Sequence, residues 1–190
     1  MVRRSMSEFE LRSSVLVAAF GVYERAWPDE GEIAAAFRAL LDDADDPFLR
    51  ERLAGHYTAS AWLVDAAGER LLMTHHRKLD RWLQLGGHAD GDRDLARVAL
   101  REAGEESGLT GLVVLPEIFD LDRHWIPGRA DVPGHWHYDV RYVVRTTGNA
   151  HFVVSDESHA LAWREIAGLM DEPGLDPSIA RMARKWLARN

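Results

Sequence analysis

Three glutamates carry the strongest chemical signal in this 190-residue sequence. In the run Arg101-Glu102-Ala103-Gly104-Glu105-Glu106-Ser107-Gly108-Leu109, Glu105 and Glu106 follow Glu102 by three and four positions. On a helix that spacing sets all three carboxylates on one face, within about 100° of arc. Like charges held so close repel one another. Arg97 and Arg101, two arginines, do not balance three carboxylates. A hard divalent cation does, and Mg²⁺ or Mn²⁺ suits carboxylate, carbonyl and water ligands. Just before the helix stands Gly86-Gly87-His88-Ala89-Asp90-Gly91-Asp92, a loop whose glycines let backbone groups approach a ligand closely. A helix start there also favours anionic groups. The competing reading is a solvated acidic face. Against it, Leu95, Val98, Ala99 and Leu100 give the helix a buried side, and glycines frame it at both ends.

This segment resembles the signature box of the Nudix hydrolase family, G-x5-E-x7-R-E-U-x-E-E-x-G-U, where U is bulky and apolar. With Gly87 in first place, Arg101, Glu102, Glu105, Glu106, Gly108 and Leu109 fall in register. Ala103 takes the first apolar position. Arg93 stands where the pattern has its first glutamate, flanked by Asp92 and Asp94. The box spans residues 87–109, and the strands around it extend the likeness to about residues 55–170. The resemblance implies an α+β fold, an α/β/α sandwich with a mixed sheet. It implies hydrolysis of a diphosphate in a nucleoside diphosphate linked to another moiety or a similar compound, with Mg²⁺ or Mn²⁺ as cofactor. Carried over by position, Glu102, Glu105, Glu106 and the Gly86 carbonyl are the expected metal ligands, and Arg101 the residue that orients the glutamates. Arg93 is read as a tolerated substitution, because Asp92 and Asp94 already supply negative charge to a helix start that disfavours a cation.

Outside the box, His135, His137, Asp139, Arg141, Val143 and Arg145 share one face of a period-two strand. His137, Asp139 and Arg141 on that face are candidates to line a phosphate pocket, with a plain solvent face as the equal alternative. Six histidines fall between residues 75 and 137: His75, His76, His88, His124, His135 and His137. No pair has the framing of a zinc motif. As a group they are read as neutral donors to phosphate or sugar oxygens, with His88 foremost and His76 and Lys78 next. Trp82, Trp125 and Trp136 are candidates to stack on a base, or core and rim packing. The family's general base varies in place, and Glu157 and Asp139 are the candidates here.

These residues need elements to hold them. Apolar spacing predicts helices over 6–25, 32–43, 92–107 and 177–188, and a short one over 47–53. Gly108 sits where a C-terminal glycine cap belongs. Strands are expected over 56–64 and 71–75 as a hairpin, over 82–85 ended by Gly86-Gly87, and over 112–119, 138–145 and 160–163. Two units follow: a helical N-terminal extension, residues 1–54, and a Nudix-type domain, residues 55–190. The extension carries no motif and is expected to cover one side of the sandwich or to form a dimer contact.

The composition bounds the function. The net charge is −8, from 23 basic and 31 acidic residues, which gives no global reason to bind nucleic acid or an anionic membrane. The longest apolar run, Val15 to Phe20, is too short to span a bilayer. With no cysteine, disulfides, thiolate metal sites and a cysteine nucleophile are excluded, and a reducing, cytoplasmic setting is expected. The expected partner is a small diphosphate substrate, with a homodimer as a further possibility. Two other classes compete: a weak or inactive Nudix module that binds a nucleotide as a sensor, for which Arg93 speaks, and an acidic interaction protein with metal-indifferent glutamates.

Overall fold

The apolar run His56–Val64 forms β1 and is buried at every position. A strand covered on both faces needs neighbours on both edges. On one side it runs parallel to β6 (His135–Thr146), in register from His56 opposite His137 to Val64 opposite Arg145. On the other, β2 (Arg70–His76) joins its end at Val64 and Leu71, while β4 (Leu85–His88) pairs antiparallel with its first half. β3 (Arg81–Leu83) and β7 (Ser158–Glu165) flank β2, and β5 (Leu112–Ile126) forms the far edge against β6. The result is one mixed seven-stranded sheet. The computed structural model describes residues 8–129, 132–156 and 158–189.

Side chains alternate along these strands, so each face of the sheet has its own cover. Tyr57, Ala59, Val140 and Tyr142 point to the face covered by α1 (Glu8–Ala26), α2 (Gly31–Leu41) and α3 (Leu95–Ser107). Trp62, Val64 and Val143 point to the other, where α4 (Pro177–Leu187) packs Ile179, Met182 and Ala183. This is the expected α/β/α sandwich, and the N-terminal helices do cover one side. Phe20, Phe37 and Phe48 surround Tyr57, with ring centroids 4.9–6.4 Å from it. The extension and the domain thus share one core. A buried charge links them as well: Lys185 of α4 reaches Asp120 of β5 at 2.7 Å and Glu30 at 2.7 Å.

Three local expectations are corrected. Residues 47–53 form turns, not a helix. Asp46 accepts the Phe48 N–H at 3.0 Å, and so short a segment closes too few helical bonds to offset nucleation. Gly86-Gly87 lies inside β4 and does not end a strand. A Cβ on Gly86 would stand 2.8 Å from the Ala59 carbonyl and the Ser60 Cα, so glycine is what lets β4 lie against β1. β5 and β6 also run longer than expected, to Ile126 and from His135, since their pairing continues through His124 opposite His137 and Ile126 opposite His135.

Candidate active site

Helix α3 is capped at both ends by its own sequence. The Asp94 carboxylate accepts the Arg97 N–H at 3.1 Å. Gly108 takes the left-handed conformation at φ 66°, and its N–H donates to the Gly104 carbonyl. Leu95, Val98, Ala99 and Ala103 bury one side. The other side turns Glu102 and Glu106 toward β4. The Gly86 N–H donates to Glu106 Oε1 at 2.8 Å, which fixes that carboxylate against the strand. A Cβ on Gly87 would fall 2.5 Å from Glu102 Oε2, so the Glu102 carboxylate occupies the room that glycine leaves. Arg101 pairs with Glu102 at 2.9 Å and donates to the His88 carbonyl at 3.2 Å. Glu105 is exposed. Hard oxygen donors set around a glycine cradle are the donor chemistry a Mg²⁺ or Mn²⁺ ion requires.

Arg93 has a structural occupation. Its guanidinium donates to Asp46 at 2.6 Å and lies 4.6 Å over the Phe48 ring. The side chain is largely buried, 15% exposed. It is therefore no passively tolerated substitution, but a tie between the box loop and the turn after α2. Asp90, three residues before it, is held by Arg50.

The strand face bearing Asp139 and Arg141 is neither a solvent face nor open. The two residues are 2% and 3% exposed. Asp139 accepts from Thr58 at 3.0 Å, Ser60 at 2.8 Å, Gln84 at 3.4 Å and Arg141 at 2.8 Å. Arg141 also meets Asp120 at 3.2 Å and Asp122 at 3.6 Å. Burial alone would lower the pKa of Arg141, but these three carboxylates raise it. Burial would likewise raise Asp122, yet a hydrogen bond with His124 and the charges of Arg141 and Arg181 hold it far below the usual carboxylate range.

The remaining candidates separate. His76 and Lys78 lie where β2 turns toward β3, with the Lys78 N–H donating to His76 Nδ1 at 3.2 Å. Trp82 stacks on His75 at 5.2 Å and packs against the α4-side core. Trp125 is 50% exposed and meets Trp136 edge-on. Glu157 lies outside the described residues. His88 and His137 do come together, their rings 5.0 Å apart, but with two companions. One is His135. The other, His56, was not among the sequence candidates. The signal that would have found it is parity: once β1 and β6 pair in parallel, His56 stands opposite His137 on the same face.

Comparison with known proteins agrees with this geometry. A sequence profile described as NUDIX domain matches residues 55–186. Against curated protein sequences no match is found. Among solved structures, a NUDIX-family hydrolase from Clostridium perfringens is similar at 26% identity and a TM-score of 0.54, over 70% of this chain and 97% of that one. A C. elegans Ap4A hydrolase in a binary complex is similar at 17% identity and a TM-score of 0.54, over 70% and 96%. The E. coli dihydroneopterin triphosphate pyrophosphohydrolase is similar at 14% identity and a TM-score of 0.56, over 70% and 96%. Among the described residues no helix is long and apolar enough to cross a membrane. With a profile match over most of its length and a box helix framed by its two glycines, the chain belongs to the Nudix family and is a Nudix-type hydrolase.

Proposed function

We propose that the protein hydrolyses a diphosphate linkage in a small molecule, a nucleoside diphosphate joined to another moiety or a similar compound, at the glutamate trio of α3. The observation that carries this reading is the seating of two glutamates on consecutive glycines, Glu106 on the Gly86 N–H and Glu102 in the space over Gly87. Two carboxylates so fixed against a strand, beside an exposed Glu105, are arranged for a ligand and not for solvation.

Glu102, Glu105, Glu106 and the Gly86 carbonyl are the proposed holders of Mg²⁺ or Mn²⁺. When bound, such an ion offsets the charge of a diphosphate, lowers the pKa of a bound water and stabilises the leaving oxygen. The chain's own part is positioning. Arg101 holds Glu102 and, through the His88 carbonyl, the end of β4 in fixed relation. The Gly86 N–H keeps a carboxylate oxygen of Glu106 turned inward. Of the two candidate bases, Asp139 has its lone pairs committed to four donors. Glu157 is the one we retain.

Arg93 gives no support to the sensor reading, since its side chain serves Asp46 and Phe48. A panel of diphosphate compounds with Mg²⁺ tests the proposal, scored for released phosphate and for the mononucleotide left behind. Turnover of at least one compound, abolished by EDTA and lowered by about 10² in Glu105→Gln, is expected. A panel left wholly intact, or turnover indifferent to Glu105→Gln, sinks the proposal.

A further inference from the structure

The four histidines gathered at the ends of β1, β4 and β6 have a chemistry different from the glutamates. His56, His88, His135 and His137 each offer a ring nitrogen, and the four nitrogens all lie within 4.8 Å of one another. His56 is 1% exposed, and its Nε2 is buried without a hydrogen-bond partner. A buried polar atom left so costs stability unless something answers it.

The tautomers say what would answer it. His56 Nδ1 lies 3.1 Å from the Arg52 carbonyl, and His135 Nδ1 lies 2.9 Å from the Pro133 carbonyl. A carbonyl only accepts, so in both rings Nδ1 carries the proton and, in the neutral ring, Nε2 carries a lone pair. His135 Nε2 sits 3.2 Å from His137 Nε2. A phosphate oxygen needs donors, and two of these four rings present acceptors. A metal ion needs lone pairs. A ring whose other N–H is anchored on a carbonyl is the usual support of a metal-binding histidine.

We propose that His56, His88, His135 and His137 form a site for a borderline divalent transition ion of the Zn²⁺ type, separate from the glutamate trio. Four nitrogens about 2.0–2.1 Å from a tetrahedral ion stand about 3.3 Å from one another. The His135–His137 pair is at that spacing already, and the remaining nitrogens close on it by small ring movements. Imidazole suits Zn²⁺ and its neighbours, whereas Mg²⁺ keeps to oxygen. Ligand nitrogens must be free of a proton, and the carbonyl-anchored rings of His56 and His135 already turn an unprotonated Nε2 into the cluster. Four protein ligands close the coordination shell, which marks a structural ion and not a catalytic one. Its effect is to clamp the start of β1, the start of β6 and the end of β4. Since His88 follows Gly87, the clamp ends one residue from the cradle of Glu102.

The test uses the full chain stripped with a chelator and titrated with Co²⁺ or Zn²⁺ alone in excess Mg²⁺. One equivalent of Co²⁺ is expected to bind with the intense visible absorption of a tetrahedral ion, and Zn²⁺ is expected to displace it and raise the Tm. Glu105→Gln should retain this site in full. His137→Gln and His56→Gln should each weaken it by about a hundredfold or more, beyond the loss seen when only a supporting contact is removed. Should a histidine variant fail to fold, the unaltered chain and Glu105→Gln decide between them. No tetrahedral signal in the unaltered chain overturns the proposal, as does a signal lost with Glu105→Gln or unchanged in a folded histidine variant.

Discussion

Arg93 and Asp46 are joined at 2.6 Å, across 47 residues of sequence, with the Arg93 side chain laid over the Phe48 ring. The residue that departs from the Nudix pattern fastens the N-terminal segment to the box loop, beside the Arg50–Asp90 pair. Restoring the family glutamate by Arg93→Glu would set two carboxylates against each other and strip the ring of its cation. A hydrogen bond between charged groups, worth about 1.5–3 kcal/mol, and a partly buried cation–π contact, worth about 0.5–2 kcal/mol, are lost together. Arg93→Glu is therefore expected to lower the Tm, and more than Arg93→Ala does. Asp46→Ala should cost less in the Arg93→Ala background than in the parent. A Tm raised by Arg93→Glu would return Arg93 to a mere departure from the pattern.

The glutamates should oppose each other until a cation joins them. Glu105 is the exposed member, so Glu105→Gln removes repulsion without removing a fold contact. In EDTA its Tm should match or exceed the parent's, by about 0.2–0.5 kcal/mol of relieved like-charge pairing. With Mg²⁺ the order should reverse, and turnover should fall by about 10². Equal Mg²⁺-dependent shifts in parent and variant would remove Glu105 from the metal site.

Asp65 gives a pH-dependence with a definite sign. Burial pushes its pKa up, but Arg70 and the backbone N–H groups of Glu69 and Arg70 more than offset that, and the net pKa lies below the usual value. The folded-state pKa is depressed, so the contribution is full above the unfolded value of about 3.9 and is lost as pH falls through the folded one. Asp65→Asn should thus be less stable than the parent by about 1–2 kcal/mol at pH 7, with the gap constant down to about pH 5 and narrowing below about pH 4. Denaturant melts at pH 7, 5 and 3.5 measure the gap. A gap that widens in acid contradicts the assignment.

What the sequence disclosed was local. The α3 box, its Gly108 cap and the alternation along β6 depend on neighbours within a few residues, and all three could be read from spacing. What it withheld depends on long-range register. His56 faces His137 because β1 runs parallel to β6, and no pattern near His56 contains that pairing. Asp120, Arg181 and Lys185 form their network only because α4 packs beside β5. The alternation that sets Asp139 and Arg141 on one face of β6 is correct. Whether such a face meets solvent, ligand or buried partners is set by what packs over it.

That network makes its own prediction. Lys185 is 5% exposed and joins Asp120, which is fully buried, to Tyr23 within α1 and to Glu30 just before α2. Removing one partner of a buried pair costs about 3–5 kcal/mol, because the other charge stays buried. Lys185→Ala should approach that loss, tempered by Arg141 and Arg181, which still hold Asp120. It should also speed proteolysis within residues 8–54. A loss under about 0.5 kcal/mol would place Lys185 among surface pairs.

Gly86 and Gly87 are adjacent, yet alanine at each should fail differently. At Gly86 the new Cβ meets backbone, the Ala59 carbonyl and the Ser60 Cα at 2.8 Å, in a strand pairing that cannot give way. Gly86→Ala should therefore cost stability by about 1–3 kcal/mol, the range of overpacking in a filled interior. At Gly87 the three atoms nearest the Cβ all belong to the Glu102 carboxylate, the far end of a flexible side chain. That carboxylate can swing away, so Gly87→Ala should keep a Tm close to the parent's. What it loses is the place of Glu102, and with it Mg²⁺ affinity and turnover, by about 10² for a misplaced site group. Melting curves with EDTA and with Mg²⁺, beside turnover of whichever diphosphate the panel yields, separate the two variants. If Gly87→Ala keeps both its Tm and its turnover, Glu102 does not need the cradle, and the seating of the glutamates on consecutive glycines is packing alone.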